Sequence, residues 1–231
     1  TTKSGYLFDE ASGAFKPGLA GKFLFASKVS GIQNEALVKD ILGLLSTQIG
    51  SDGSISGSGD NTFDYGWVAL ALQSQGQGSV AAAVATQLTT FAREDGGFGF
   101  DTSANTTASS ADAAGMVLMA IAATEGEGSE ESQSKRTATK DALLSWLKAA
   151  AIDDNHFEAW GDIDVNSTAY AAMGLTSAGI DASAYSAWLA SIIVEDGGLE
   201  TPWSEGKGDT FATIQGLLAL DGRSYPGLIG K

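Results

Sequence analysis

The stretch Phe91-Ala92-Arg93-Glu94-Asp95-Gly96-Gly97-Phe98-Gly99 decides the fold, because its centre, Asp95-Gly96-Gly97, recurs along the chain. Ser51-Asp52-Gly53-Ser54 precedes it and Glu195-Asp196-Gly197-Gly198-Leu199 follows it. A degenerate copy lies between, Ile152-Asp153-Asp154-Asn155, with Trp160-Gly161 where the aromatic residue and glycine would follow. Turns near 52, 95, 155 and 196 therefore mark a repeat, and units a few tens of residues long signal stacked elements, none of which can bury its apolar face alone.

Working outward from each turn, the residues before it carry helical spacing. Leu37, Ile41, Leu44 and Leu45 fall on one stripe within 36–48, and Val84, Leu88 and Phe91 on another within 80–91. Segments 142–147 and 185–194 read likewise, and each ends at Asp-Gly or its relic, where glycine stops a helix. After each turn, cap-type residues open a second helix: Asp60-Asn61-Thr62, Thr107-Ala108-Ser109-Ser110, Asn166-Ser167-Thr168 and Asp209-Thr210. These second helices end at Leu72, Ile121, Leu175 and Leu220 and are rich in Ala, Gly, Thr and Met. Small residues on most faces predict an inner layer surrounded by other helices, with the more charged first helices outside. The variable part of the repeat, Glu125 to Arg136, is rich in Glu, Ser and Gly and is expected to be a surface insertion loop. Near the N-terminus, Phe15 to Ala26 reads as an inner helix with a reduced partner, so the chain is expected to form about nine helices in one domain spanning 1–231.

Composition narrows the function. With 231 residues, 43% of them hydrophobic, and only 3 Pro against 30 Gly, the chain can bury a core of helices punctuated by glycine turns. A formal charge of -15, with 13 scattered basic residues, argues against nucleic acid and against an anionic membrane surface. The most apolar run, 111–123, is too short and too polar to span a bilayer, so no membrane insertion is expected. The absence of cysteine removes disulfides, thiolate-bound metal and a cysteine nucleophile. An acidic, cysteine-free, Gly/Ser/Thr-rich chain fits a bacterial secreted or cell-surface protein.

The residues 91–99 resemble the repeat of protein prenyltransferase beta subunits and of squalene or hopene cyclases. Asn166-Ser167-Thr168-Ala169 and Asp209-Thr210-Phe211-Ala212 resemble the opening of that superfamily's inner helices, and the likeness runs from about residue 15 to 221. The resemblance implies an all-α fold, an alpha/alpha toroid with inner and outer rings and a central cavity entered where the inner-helix N-termini gather. A complete ring would have six hairpins, whereas this chain supplies about four and a half, so an incomplete or open toroid is expected. The same fold houses vitamin B12 carriers and repeats of bacterial surface proteins, so it does not set the function.

The chemistry of the superfamily makes specific demands on these residues. Prenyl transfer requires zinc held by Asp, Cys and His; without cysteine, and with His156 as the one histidine, read as a surface-loop residue, those ligands cannot be assembled. Class II cyclases use the middle acid of an Asp-x-Asp-Asp motif. Asp162-Ile163-Asp164-Val165-Asn166 stands in the corresponding place, with Asp164 matching the acid and Val165 replacing the next Asp. Residues of the same kind also make an acidic loop that caps a helix. The spacing Asp162, Asp164, Asn166 opens an EF-hand-type calcium loop, but Ser167 and Met173 occupy the places of the required Gly and Glu. Paired carboxylates beside sugar-stacking aromatics, Trp160 with Asp162 and Trp203 with Glu200 and Glu205, would suit a glycosidase. The plainer reading makes Trp160, Phe98, Leu199 and Trp203 the repeat's own packing residues. Asn105-Thr106-Thr107 and Asn166-Ser167-Thr168 fit glycosylation acceptors, yet both stand where helix caps belong.

Taken together, these features predict a noncatalytic binding or interaction module without a cofactor, whose partner is a protein, a glycan or a small molecule such as cobalamin. Its ligand face is expected at the inner-helix mouth, with Asp60, Asp64, Trp67, Asp112, Trp160, Tyr170, Trp203 and Asp209 as candidates beside Asp162 and Asp164. The enzyme alternative is a class II terpene cyclase with Asp164 as general acid.

Overall fold

In the computed structural model, which describes residues 5–32, 34–57, 61–103 and 108–229, the three intact turns share one geometry. Asp52, Asp95 and Asp196 each accept, through Oδ1, the backbone N–H two residues on: Ser54 at 3.0 Å, Gly97 at 2.9 Å and Gly198 at 3.0 Å. The glycine between has φ of +84° at Gly53, +82° at Gly96 and +83° at Gly197, a left-handed backbone that only glycine adopts without steric cost. In the degenerate copy Asp153 and Asp154 occupy that region, at φ +47° and +56°. Aspartate tolerates it through local side-chain hydrogen bonds. A buried anchor follows each turn, Ile55, Phe98, Phe157 and Leu199. A hydroxyl on the next helix receives the anchor's N–H in three repeats, Tyr65 for Ile55, Thr168 for Phe157 and Thr213 for Leu199.

Nine α-helices occur among the described residues: α1 (Pro17–Val29), α2 (Glu35–Ser46), α3 (Thr62–Ser74), α4 (Gly78–Leu88), α5 (Ala111–Ala123), α6 (Glu130–Ala150), α7 (Val165–Ser177), α8 (Ser183–Ser191) and α9 (Thr210–Leu220). The protein is therefore predominantly helical, as the periodicity predicts. Helices α1, α3, α5, α7 and α9 pack side by side in that order, and α2, α4, α6 and α8 cover them. Ten of thirteen residues are buried in each of α3, α5 and α7, against two of twelve in α2, which distinguishes an inner from an outer layer. Glycine lets the inner helices approach closely: a Cβ on Gly115 of α5 would stand 2.1 Å from the Tyr170 carbonyl oxygen of α7.

Several expectations need correction. Residues 130–136 belong to α6, so the insertion loop is confined to the few residues after α5. Ser129 caps α6 by accepting the Ser132 N–H, Glu130 and Glu131 complement its positive end, and Glu131 pairs with Lys135 at 2.8 Å. Leu37 and Leu44 of the α2 stripe are exposed, because this edge helix buries only Ile41 and Leu45. Asp164, not Asn166, caps α7, which starts earlier than predicted. The caps at Asn61 and Asp209 are where the sequence puts them, Ser110 holds the cap position of α5 without a side-chain bond to a helix N–H, and Thr107 lies outside the described residues.

Two short antiparallel hairpins stand between turn and inner helix: β1 (Glu158–Ala159) with β2 (Asp162–Ile163), and β3 (Leu199–Glu200) with β4 (Gly208–Asp209). At the other end, the C-terminal segment after α9 crosses the inner layer. The ring of Tyr225 meets Phe25 of α1 at 5.8 Å, Trp67 of α3 at 4.8 Å and Tyr170 of α7 at 6.3 Å. The outer edge of α9 exposes Phe211, Ile214 and Leu217, whereas Gly66, Gly115 and Ala169, which stand in α3, α5 and α7 at the place of Ile214, are buried. The outer face of α9 is thus exposed among the described residues. No described helix is long and apolar enough to cross a membrane.

Candidate functional site

The strands β1 and β2 are joined by Trp160 and Gly161, with φ of +54° and +85°. A two-residue turn with both central residues left-handed matches the twist of a hairpin, and its first place favours Asn, Asp or Gly. A bulky ring there is strained, since its Cβ crowds the backbone. Trp160 is nevertheless 95% exposed, so burial does not offset that strain.

Beside this ring opens a cleft of about 430 Å³ at the N-terminal ends of α5 and α7, lined by Phe100, Asp112, Trp146, Glu158, Trp160 and Asp164. Its size falls within the range of about 300–1,000 Å³ common for small-ligand sites. Asp112 lies in the first turn of α5, its Oδ1 accepting the Ala113 N–H at 2.8 Å. Burial raises its pKa above the ordinary carboxylate range; bonds from Ser110 and Ala113 oppose the rise and the nearby Asp164 charge adds to it. Asp164 caps α7 by accepting the Ser167 N–H at 2.9 Å. The cleft thus joins a largely buried carboxyl, Asp112, with the helix-capping carboxyl of Asp164, under aromatic walls.

The repeat's own turn builds one of those walls. Asp95 Oδ2 accepts the indole N–H of Trp146 at 3.1 Å, while Oδ1 takes the Gly97 N–H and the Ser109 hydroxyl at 2.8 Å. Partial burial works to raise the pKa of Asp95, but these three hydrogen bonds outweigh it and hold the carboxyl below its usual value.

The structure gathers Asp112, Trp160 and Asp164 of the expected residues at this cleft and places the other described candidates elsewhere. Trp67 and Tyr170 belong to the aromatic stack around Tyr225, where Tyr170 also meets Phe63 at 5.4 Å. Trp67 Nε1 is buried without a hydrogen-bond partner, and Lys22 Nζ lies 5.4 Å from the Trp67 ring centroid. Burial pushes Asp64 up to about 6, with Lys22 pulling the other way. Asp209 caps α9 by accepting the Ala212 N–H at 2.7 Å. Asp60 and the acceptor Asn105-Thr106-Thr107 lie outside the described residues.

The grouping of Trp160 and Trp203 with the packing residues Phe98 and Leu199 is overturned. Phe98 and Leu199 are buried anchors, but Trp160 and Trp203, the latter 70% exposed, stand on the loops beyond them. Asp162 Oδ1 accepts the Ile163 N–H, Asp164 caps a helix, and Asn166 donates from Nδ2 to Gln215 Oε1. No group of three or more His, Cys, Asp or Glu that could hold a metal ion occurs among the described residues. His156 is half-buried and stacks on Trp188, with 5.0 Å between centroids and 8° between planes. Sequence reasoning missed Phe100, Trp146 and Glu158 as cleft residues; of these, Phe100 alone carried a signal, following the glycine of the Asp-Gly-Gly motif. No protein-family model matches the chain, and no curated protein matches it in sequence.

Proposed function

We propose that the chain is an open alpha/alpha-toroid repeat that serves as a noncatalytic binding module of a bacterial secreted or surface protein, with its ligand face at the mouth of α5 and α7. The observation that carries this reading is Trp160, a fully presented ring held in strained backbone at the edge of a cleft containing Asp112 and Asp164. Strain without a structural return points to use by a partner. The resemblance of 91–99 to the prenyltransferase and cyclase repeat supports the toroid, and the alternating inner and outer helices are the layers such a ring needs. The exposed edge of α9 supports an open arc.

Two features of the chain speak against cyclase chemistry. Asp164 spends one carboxyl oxygen on capping α7, where it accepts the Ser167 N–H, so the side chain is tied to the helix end rather than free to face a substrate. Tyr225 packs on Trp67 and Tyr170 of the inner helices, among which a polyprenyl chain would have to lie. A thermal-shift screen with cobalamin, calcium chloride and soluble glycans, run on the wild type, Trp160→Ala and Asp112→Asn, tests the reading. Stabilisation of the wild type that both variants lose supports it, and stabilisation that both retain contradicts it.

A further inference from the structure

Resting on the mouth as ligand face, we infer that the ligand is a glycan chain without acidic substituents, read by an aromatic platform on each successive repeat. Three consecutive repeats each put one aromatic ring outward shortly after a buried anchor: Phe100 after Phe98, Trp160 after Phe157 and Trp203 after Leu199. Phe100 is 56% exposed, and it shares the cleft with Trp160. The hairpins bearing Trp160 and Trp203 lead directly into the neighbouring inner helices α7 and α9. Packed helices are about 8–10 Å apart, so the platforms recur with the repeat, a geometry suited to a polymer rather than to one compact ligand.

The chemistry of the cleft selects the class of polymer. The flat C–H face of a pyranose carries partial positive charge and packs on the negative face of an indole or phenyl ring, while its rim hydroxyls need acceptors. Glu158 and Asp164 supply acceptor oxygens beside the two rings, and the buried carboxyl of Asp112 adds a group that can both accept and donate; bonds from hydroxyls to charged carboxylates are about twice as strong as those between neutral groups. The same carboxylates repel uronate or sulfate groups, as does the net charge of -15. A nucleic acid strand, which also stacks on aromatics, is disfavoured by that charge.

The test is isothermal titration of the protein with cellohexaose, maltohexaose, hexameric chitosan and hexameric galacturonate, each beside its disaccharide. Saturable binding of at least one neutral or amino-sugar hexamer, tighter than that of its disaccharide and absent for galacturonate, is the expected result. Trp160→Ala weakens the hexamer by about tenfold or more, and Trp203→Ala weakens the hexamer by a larger factor than it weakens the disaccharide. Galacturonate binding as tight as that of the neutral sugars overturns the inference, and so does hexamer affinity indifferent to both tryptophans. If no sugar binds but a compound from the thermal-shift screen stabilises the protein in a Trp160-dependent way, the glycan inference fails while the mouth remains the ligand face. If sugars bind and neither Trp160→Ala nor Asp112→Asn weakens them, the mouth itself is refuted.

Discussion

Replacing Trp160 by Asn should make the protein more stable while damaging its ligand face. In a left-handed backbone a bulky residue costs roughly 1–2 kcal/mol, and Asn-Gly is the preferred pair for a hairpin turn whose two central residues both have positive φ. Trp160 and Gly161 hold that geometry, at φ +54° and +85°. The loss on the other side is small: the ring is 95% exposed, so the apolar surface it buries contributes well under about 0.5 kcal/mol. The net expectation is a gain of about 0.5–1 kcal/mol, which for a chain of this size raises Tm by roughly 1–4 °C. Urea unfolding followed by far-ultraviolet circular dichroism measures it, with Trp160→Ala as control, since Ala removes the ring but keeps the left-handed cost. A Trp160→Asn variant less stable than the wild type, or no more stable than the Ala variant, would refute the reasoning that strain is stored at this position.

Other consequences follow from the packing and the charges. In native protein Asp64 titrates at about 6, above its value of roughly 3.9 in an unfolded chain, so native protein binds the extra proton and stability declines as pH rises from about 4 to 6. Asp64→Asn should flatten that decline by about 1–2 kcal/mol, Asp112 contributing the remainder with the same sign; unfolding curves at pH 4.5 and 7.5 that keep their full difference would contradict it. Arg136, almost wholly buried, donates to the carbonyls of Ala82, Thr124 and Glu127 and to the Thr86 hydroxyl, tying α4 and the α5–α6 loop to α6. Arg136→Met should cost about 2–4 kcal/mol in denaturant unfolding, and Arg136→Lys should recover less than half, because a single ammonium cannot reproduce the planar fork. Gly115→Ala forces a methyl to within 2.1 Å of the α7 backbone and should cost about 3 kcal/mol or more; a loss below about 1 kcal/mol would show that α5 and α7 are not so close.

The turns were legible because they are written in local backbone chemistry: Asp followed by a left-handed glycine gives one geometry wherever it occurs, as Gly53, Gly96 and Gly197 demonstrate. The inner layer was legible for a related reason, since only small residues permit contacts as close as Gly115 against Tyr170. The stretch 130–136 was misread because Glu, Ser and Lys serve a solvated helix as well as a loop, and what decides is the Ser129 cap together with the buried Arg136. Trp160 looked like a packing residue because composition does not reveal the two-residue hairpin that turns it outward. Trp146 had no signal at all, since its bond to Asp95 joins residues far apart in the chain. Tyr225 lies outside the repeat, so no periodicity pointed to its place across the inner helices.

The central claim, that ligand is taken at the mouth of α5 and α7, is tested most directly by following the five tryptophan indole N–H signals in a ¹⁵N-labelled sample during titration with the best stabilising compound from the screen. The Trp160 and Trp146 signals are expected to move together and saturate, while Trp67, held under Tyr225, and Trp188, stacked on His156, stay in place. Saturable movement of Trp67 or Trp188 with Trp160 and Trp146 unmoved would contradict it.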